Sequence, residues 1–207
     1  EFNRMNIPGG ISVPNGELVY RVHDFAPDAD TTVVVNCAGR TRSIIGAQTL
    51  INAGLPNKIV ALKGGTMGWT LSGFELENGA TRRYGTLSDE AKEVALERAG
   101  AIQEKLGIEA VSIDTVQEWQ ADSERTLFLL DVRSAEEFAE GHMPGSAHAP
   151  GGQLVQATDQ WAATLGARIV LLDDENNVRA VMTAHWLKQM GWDVSVLAGG
   201  VLPHANE

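Results

Sequence analysis

One segment of the chain reads Val33-Val34-Val35-Asn36-Cys37-Ala38-Gly39-Arg40-Thr41-Arg42-Ser43. Its β-branched run predicts a strand over Thr32–Asn36, because it is too short for a helix and lacks the alternation of a half-exposed strand. The apolar positions that follow predict a helix over Ser43–Ala53, which ends before a glycine suited to a helix C-terminus. A second aliphatic run predicts a strand over Ile59–Leu62. Strand, helix and strand together predict the α/β class with parallel pairing.

The same pattern occurs a second time along the chain. Ile7-Pro8-Gly9 aligns with Met143-Pro144-Gly145 at an offset of 136 residues, and Arg42 aligns with Arg179 at an offset of 137. After a two-residue deletion the offset becomes 135, which aligns Gly64-Gly65 with Gly199-Gly200. In the second copy, strands are predicted over Ile169–Asp173 and Val194–Leu197, with a helix over Ala180–Met190 between them. We therefore predict a duplication, in which each domain is a mainly parallel sheet flanked by helices.

The repeat also predicts the domain organisation. The first domain covers residues 1–86 and the second residues 109–207, joined by a connecting segment, 87–108, with a helix predicted over Asp89–Leu106. A further strand predicted over Leu127–Arg133 has a counterpart that would precede Glu1. We therefore expect the first domain to be truncated at its N-terminus and the chain to be a fragment of a longer protein, unless another segment fills the gap. The first domain would then be completed either by further domains in that longer chain or by a homodimer formed by strand exchange.

Composition and charge exclude several classes of function. The chain has 207 residues, 43% of them hydrophobic, and a formal net charge of -11. Residues 1–86 contain eight Lys/Arg and seven Asp/Glu, whereas residues 87–207 contain eight and twenty. An acidic chain is a poor ligand for nucleic acid or anionic membranes, so neither is expected as a partner. The near-neutral first part remains suited to a small anion.

Cysteine usage points to a reducing compartment. Cys37 is the one cysteine of the chain, which excludes an internal disulfide and a four-cysteine zinc site. We therefore expect a cytoplasmic protein.

The position of Cys37 gives it a chemical role. A loop from strand to helix aims backbone N–H groups inward, and the start of the helix adds partial positive charge, so the thiolate is favoured. Arg40 and Arg42 are suited to a sulfonate, sulfite or phosphate. Gly39 allows the sharp turn, and Ser43 is placed to cap the helix. Because Arg179 repeats Arg42, a structural role for Arg42 stays open.

These motifs resemble the rhodanese family. In the first copy the likeness lies in the loop from Cys37 to Ser43, in Ile7-Pro8-Gly9, and in Lys63-Gly64-Gly65 followed by Gly68-Trp69. In the second copy it lies in Asp131-Val132-Arg133, Glu136-Glu137-Phe138, Gly141-His142-Met143-Pro144-Gly145 and Leu197-Ala198-Gly199-Gly200. The resemblance covers most of the chain except the connecting helix. The whole chain resembles part of a bacterial protein with several tandem rhodanese domains.

The resemblance implies a sulfurtransferase. The Cys37 thiolate would take the outer sulfur of thiosulfate or a similar small anionic donor, release sulfite and become a persulfide, which then passes its sulfur to cyanide or a thiol. The residues implied in substrate binding are those of the loop: Ala38, Gly39, Arg40, Thr41, Arg42 and Ser43. Neither a cofactor nor a metal is implied.

Loop length separates this activity from related chemistry. Phosphatases and arsenate reductases of related type have five residues between cysteine and arginine, whereas four residues, Ala38–Thr41, separate Cys37 from Arg42. The shorter loop favours a sulfur atom on the cysteine over a tetrahedral oxyanion. A non-catalytic interaction or regulatory module is the first alternative. A cysteine-dependent phosphatase or arsenate reductase is the second.

The second copy lacks the nucleophile. The alignment places Asp174 at the position of Cys37, and a carboxylate cannot form a persulfide. We therefore expect this domain to be catalytically silent. The acidic run Asp173–Glu175 is interpreted as a solvated loop rather than a cation site. Asp131 and Arg133 are expected to form a pair that supports the fold.

Overall fold

The computed structural model describes residues 1–39, 41–201 and 204–205. The chain divides into two compact units, Glu1–Ala95 and Leu96–Glu207. Both units place helices beside parallel strands, which confirms the predicted α/β class. None of the helices in these residues is both long and apolar enough to cross a bilayer.

The described residues of the first unit form two strands and three complete helices. In chain order its elements are α1 (Leu18–Phe25), β1 (Val33–Val35), α2 (Arg42–Asn52), β2 (Ile59–Ala61) and α3 (Gly65–Leu71), with a 3-10 turn at Asn15–Glu17 ahead of α1. Strands β1 and β2 are parallel, with Val33 opposite Ile59. The strand-helix-strand unit predicted from the sequence is therefore confirmed.

A glycine sets the packing of α1 against α2 in this unit. A Cβ on Gly46 would lie 2.8 Å from Leu18 Cδ1 and 2.8 Å from Asn15 Oδ1. Leu50, one turn further along α2, is fully buried, and Leu18 is nearly so. The apolar face of α2 therefore lies against α1, which orients the start of α2 beside the end of β1.

One long helix connects the two units. Helix α4 spans Asp89–Leu106, the bounds predicted from its apolar spacing. It begins in the first unit and ends in the second. Acidic residues in its first turn and Lys105 in its last turn match the direction of the helix dipole.

The second unit contains a five-stranded parallel sheet. After α4 its elements are β3 (Glu109–Val111), α5 (Ile113–Ala121), β4 (Leu127–Asp131), α6 (Ala135–Glu140), β5 (Ala147–His148), α7 (Gly151–Gln156), β6 (Arg168–Leu172), α8 (Val178–Gln189) and β7 (Asp193–Leu197), with a 3-10 turn at Thr158–Gln160. The strand order is β3-β7-β6-β4-β5. Strand β6 lies at the centre, where Val170, Leu171 and Leu172 are fully buried, as its unalternating aliphatic sequence predicts.

Strand register corrects one alignment made from the sequence. In the first unit Val35 pairs with Ala61, and in the second Leu171 pairs with Val196. Cys37 lies two residues after Val35, and Asp173 lies two residues after Leu171. Asp173, rather than Asp174, therefore corresponds to Cys37.

Hydrogen bonds to the loop backbone agree with this register. The Thr66 N–H donates to the Cys37 carbonyl at 2.9 Å, and the Val201 N–H donates to the Asp173 carbonyl at 2.9 Å. The inserted residue of the second copy therefore lies in the loop after the strand, not before the strand. Pro and Gly identities alone do not show the position of this insertion, because only the strand pairing shows where the extra residue is accommodated.

Candidate active site

The candidate site is the Cys37 loop, residues 37–42, which joins β1 to α2. The Gly39 N–H donates to Cys37 Sγ at 3.4 Å, and the thiol donates to Ser43 Oγ at 3.3 Å. Cys37 is half-buried, whereas Ala38, Gly39 and Thr41 are exposed. The sulfur therefore contacts an N–H donor and a hydroxyl, while three of the described loop residues are exposed.

Helix α3 holds the back of the Cys37 loop. Its first turn donates from Thr66 N to the Cys37 carbonyl at 2.9 Å and from Met67 N to the Ala38 carbonyl at 3.4 Å. A Cβ on Gly65 would lie 2.1 Å from the Cys37 carbonyl oxygen, and one on Gly39 would lie 2.3 Å from the Gly64 carbonyl oxygen. The two backbones therefore approach so closely that only glycine fits at these positions.

Ser43 does not cap α2, so this prediction was wrong. The helix begins at Arg42, its N-cap is Thr41, and none of the described side chains caps it. Ser43 instead lies inside the first turn, 3% exposed, with its hydroxyl beside the sulfur. The helix starts one residue earlier than predicted, which turns Ser43 from the cap position towards Cys37.

Arg42 forms an ion pair that the sequence analysis did not identify. Its Nη2 lies 2.5 Å from Glu1 Oε2, and both side chains are partly exposed. Its carbonyl accepts from Asn15 Nδ2 at 2.8 Å. The second predicted cation, Arg40, lies outside the described residues. The repeat shows that both residues have counterparts, since Glu1 aligns with Glu137 and Arg42 with Arg179, but it does not show that they pair.

The corresponding segment of the second unit is the Asp173 loop, residues 173–179. The Asp173 side chain is fully buried and accepts from Arg179 Nε at 2.8 Å, Asp174 N at 2.8 Å and Ala180 N at 2.9 Å. Burial raises the pKa of Asp173 to about 7, while the charge of Arg179 and the backbone donors act in the opposite direction. The expectation of a solvated loop is therefore wrong for Asp173.

Asp174 lies one residue further along and faces partly to solvent. Its Oδ1 accepts from the Asn176 N–H at 2.9 Å, and its Oδ2 lies 3.2 Å from Arg179 Nη2. Asp174 therefore stabilises the turn of the Asp173 loop rather than occupying the position of the sulfur.

Arg179 is the centre of this loop's charge network. It is 3% exposed and donates to both carboxylate oxygens of Glu137, at 2.8 and 2.9 Å. Burial by itself raises the pKa of Glu137, but the hydrogen bonds and charge of Arg179 and the Ser134 donors outweigh it and lower the pKa to about 2. Glu137 also closes the capping box of α6 with Ser134.

Neutralising Glu137 is expected to change how stability depends on pH. The folded pKa lies below the ordinary 4.5, so the Glu137 contribution is present above pH 4.5 and lost as the pH falls towards 2. Since the side chain is partly exposed, we expect Glu137→Gln to lower the free energy of unfolding by about 1–2 kcal/mol at neutral pH. The difference from the unmodified chain should disappear at pH 2, as measured by urea unfolding across this range.

Glu140→Gln is the matched control, because Glu140 lies on the same helix and is exposed. Its effect on the free energy of unfolding is expected to stay below about 0.5 kcal/mol at every pH. A Glu137→Gln difference that is equal at pH 7 and pH 2 would show that the charge of Glu137 does not stabilise the fold.

Asp131 and Arg133 form the expected fold-supporting pair. Both are buried, Arg133 Nη2 lies 2.7 Å from Asp131 Oδ2, and the same atom donates to the Gly141 carbonyl at 2.7 Å. Within the described ranges, no group of three or more His, Cys, Asp or Glu side chains could hold a metal ion.

Comparison with known proteins identifies the family. The rhodanese-like domain family matches residues 1–72 and 112–203. The crystal structure of thiosulfate sulfurtransferase from Pseudomonas aeruginosa is 54% identical, with a TM-score of 0.94 over 100% of this chain and 39% of its own. This chain therefore spans about two fifths of the length of that protein.

Other solved structures are more distant. Protein BH2092 from Bacillus halodurans is 24% identical over 50% of this chain and 75% of its own, with a TM-score of 0.40. The rhodanese homolog TT1651 from Thermus thermophilus is 15% identical over 45% of this chain and 96% of its own, with a TM-score of 0.36. No curated protein matches the chain. Two matched segments, one in each unit, and the 54% identity over the full chain show that this chain belongs to the rhodanese-like domain family.

Proposed function

We propose that the chain carries the active loop of a sulfurtransferase, which moves a sulfane sulfur from thiosulfate or a similar donor to cyanide or a thiol. The observation that carries the proposal is the environment of Cys37: its sulfur accepts from the Gly39 N–H and lies beside the Ser43 hydroxyl, and the residue is only half-buried. The 54% identity to a thiosulfate sulfurtransferase supports the same donor class.

The proposed reaction has two displacement steps. The Cys37 thiolate attacks the outer sulfur of thiosulfate, the sulfur–sulfur bond of the donor breaks, and sulfite leaves with the electron pair. The persulfide anion that results stays on Cys37. Cyanide or a thiolate then attacks the outer persulfide sulfur, and the Cys37 thiolate leaves, so the cycle needs no external oxidant or reductant.

The loop would stabilise the anionic states of this cycle. The Gly39 N–H donates to the sulfur already, and the Ser43 hydroxyl can turn to donate once the thiol has lost its proton. Arg40 and Arg42 add positive charge that favours an anionic donor. Ala38 and Thr41, on either side of Gly39 and Arg40 in the loop, are exposed to solvent.

The second unit would not carry sulfur. Asp173 corresponds to Cys37 and is held by three donors, so this loop has no thiol and no accessible nucleophile. We propose the domain organisation 1–86, 87–108 and 109–207, with the last part as a non-catalytic companion. A cysteine that must stay reduced between turnovers suits the cytoplasm.

The test is the intact mass of the chain after incubation with thiosulfate. The unmodified chain is expected to gain one sulfur atom, and Cys37→Ser is expected to gain none. Cyanide should then remove the added sulfur as thiocyanate. With a single cysteine in the chain, the mass change reports Cys37 alone.

The alternatives predict different results. An interaction module with a folded Cys37 loop would show no thiosulfate-dependent mass change. A cysteine-dependent phosphatase or arsenate reductase would hydrolyse an aryl phosphate or reduce arsenate instead. Either result, with native circular dichroism retained, would replace the sulfurtransferase proposal.

A further inference from the structure

We infer that Glu1 is a positioning residue, which holds the Arg42 guanidinium so that its Nε–H edge stabilises the ionised sulfur of Cys37. The inference rests on the proposed function and deepens it. It assigns Arg42 to the sulfur nucleophile and its persulfide rather than to the departing sulfite.

The second unit shows the complete arrangement. Arg179 donates from Nη1 and Nη2 to Glu137 and from Nε to Asp173, all within 2.8–2.9 Å. The Asp173 carboxyl group accepts from two further backbone N–H groups, so three donors converge on this buried side chain. One arginine therefore links the partly exposed carboxylate of Glu137 to the buried carboxyl group of Asp173.

Each member of this arrangement has a counterpart in the first unit. Glu1 aligns with Glu137 and Arg42 with Arg179, and the strand register places Cys37 at the position of Asp173. The ion pair that corresponds to Glu137 and Arg179 is present in the first unit, where Arg42 Nη2 lies 2.5 Å from Glu1 Oε2.

The side chains at the two corresponding positions also point the same way. Asp173 accepts from Ala180 in the first turn of α8, and Cys37 lies 3.3 Å from Ser43 in the first turn of α2. Because Arg179 Nε donates to Asp173 in the second unit, the comparison assigns to the first unit a bond from Arg42 Nε to sulfur. Such a bond forms when the thiol loses its proton to water, since a thiolate is a far better acceptor than a thiol.

Two further cationic residues belong to the Cys37 loop or to the segment packed against it. Arg40 belongs to the same loop and lies outside the described residues. Lys63 is exposed and precedes Gly64, whose carbonyl packs against Gly39. Both residues are kept in every variant below, so their contribution is common to all of them.

The test is the pH dependence of Cys37 alkylation by iodoacetamide, followed by intact mass. Because the chain has one cysteine, every adduct reports the same sulfur. We expect Arg42→Gln to move the midpoint of the alkylation profile upward by about one pH unit. Arg42→Lys should give an intermediate shift, since an ammonium keeps the charge but cannot bridge Glu1 and Cys37.

Glu1 variants separate positioning from simple charge effects. Removing a nearby negative charge favours the thiolate and by itself lowers the midpoint. If Glu1 acts by holding Arg42, Glu1→Ala raises the midpoint instead. Glu1→Gln keeps an acceptor for Arg42, so its midpoint should stay at or below that of the unmodified chain.

Glu77 and Arg82 supply the matched control pair. They form a partly exposed ion pair in the same unit, and none of their described hydrogen bonds reaches the Cys37 loop, so Arg82→Gln should leave the midpoint unchanged. An unchanged midpoint in Arg42→Gln, or a lowered one in Glu1→Ala, would overturn the inference. If Arg42→Gln fails to fold, the Arg42→Lys and Glu1 variants decide the question.

The two proposals fail in distinguishable ways. Alkylation requires only a thiolate, whereas the mass gain with thiosulfate requires sulfur transfer. Midpoint shifts without a persulfide would support the positioning pair and refute the sulfurtransferase. A persulfide on Cys37 with unshifted alkylation midpoints would support the sulfurtransferase and refute the positioning role of Glu1.

Discussion

Replacing Gly65 with alanine is expected to slow persulfide formation on Cys37 about 100-fold, since a displacement of about 1 Å at a reacting group costs a factor of this size. The added Cβ would lie 2.1 Å from the Cys37 carbonyl oxygen and 2.6 Å from the Gly39 nitrogen. Both are backbone atoms, which cannot rotate away as a side chain would. The Gly39 N–H that donates to the sulfur must therefore move.

Gly73→Ala is the control for backbone strain. Gly65 and Gly73 both have a positive φ, +54° and +85°, but a Cβ on Gly73 meets no atom of the described residues within 4 Å. Both variants therefore strain the backbone, and only Gly65→Ala displaces the Cys37 loop. Rates of persulfide formation, measured by intact mass with thiosulfate, should be near normal in Gly73→Ala. Equal rates in the two variants would show that the contact with α3 does not position the sulfur.

Replacing Arg179 with methionine is expected to lower the free energy of unfolding of the second unit by about 3–5 kcal/mol, as is usual when one partner of a buried ion pair is removed. Asp173 is fully buried and would lose its only charged donor among the hydrogen bonds described above, while Glu137 would lose both of its bonds to Arg179. Methionine fills much of the arginine volume, so the loss reports the charge network more than a cavity.

Tryptophan fluorescence in urea can follow this unit separately. Trp69 is the one tryptophan of the first unit, and the other four belong to the second: Trp119, Trp161, Trp186 and Trp192. In a Trp69→Phe background the signal therefore reports the second unit. Arg125→Met is the control, because Arg125 pairs with Asp193 at the surface and should contribute at most about 1 kcal/mol. Similar losses for both arginines would contradict a stabilising role for the buried network.

Local sequence patterns were sufficient to predict the architecture. The aliphatic runs around Val33–Val35 and Arg168–Leu172, and the helical spacing of Asp89–Leu106, predicted strands and a helix that the structure contains. Such patterns depend on residues close together in the chain, whose periodicity reflects which face is buried. The repeat was visible for the same reason, because turns with positive φ retain glycine in both copies, as at Gly65 and Gly200.

The active loop was predictable as a position but not as a set of contacts. A cysteine between a buried strand and a helix indicated a nucleophile at Cys37, and the structure places a donor N–H and a hydroxyl beside it. The helix boundary was misjudged by one residue, which gave Ser43 the wrong role. Helix ends depend on competing local hydrogen bonds, and these are not encoded in apolar spacing.

Tertiary structure was required wherever distant parts of the chain meet. Glu1 and Arg42 are far apart in sequence, as are Glu137 and Arg179, so no local pattern predicts that they pair. The correspondence of Asp173 with Cys37 depends on the pairing of β6 with β7 and of β1 with β2. An inserted loop residue leaves the neighbouring periodicities unchanged, and only the strand register, which fixes every backbone hydrogen bond of the sheet, reveals where it lies.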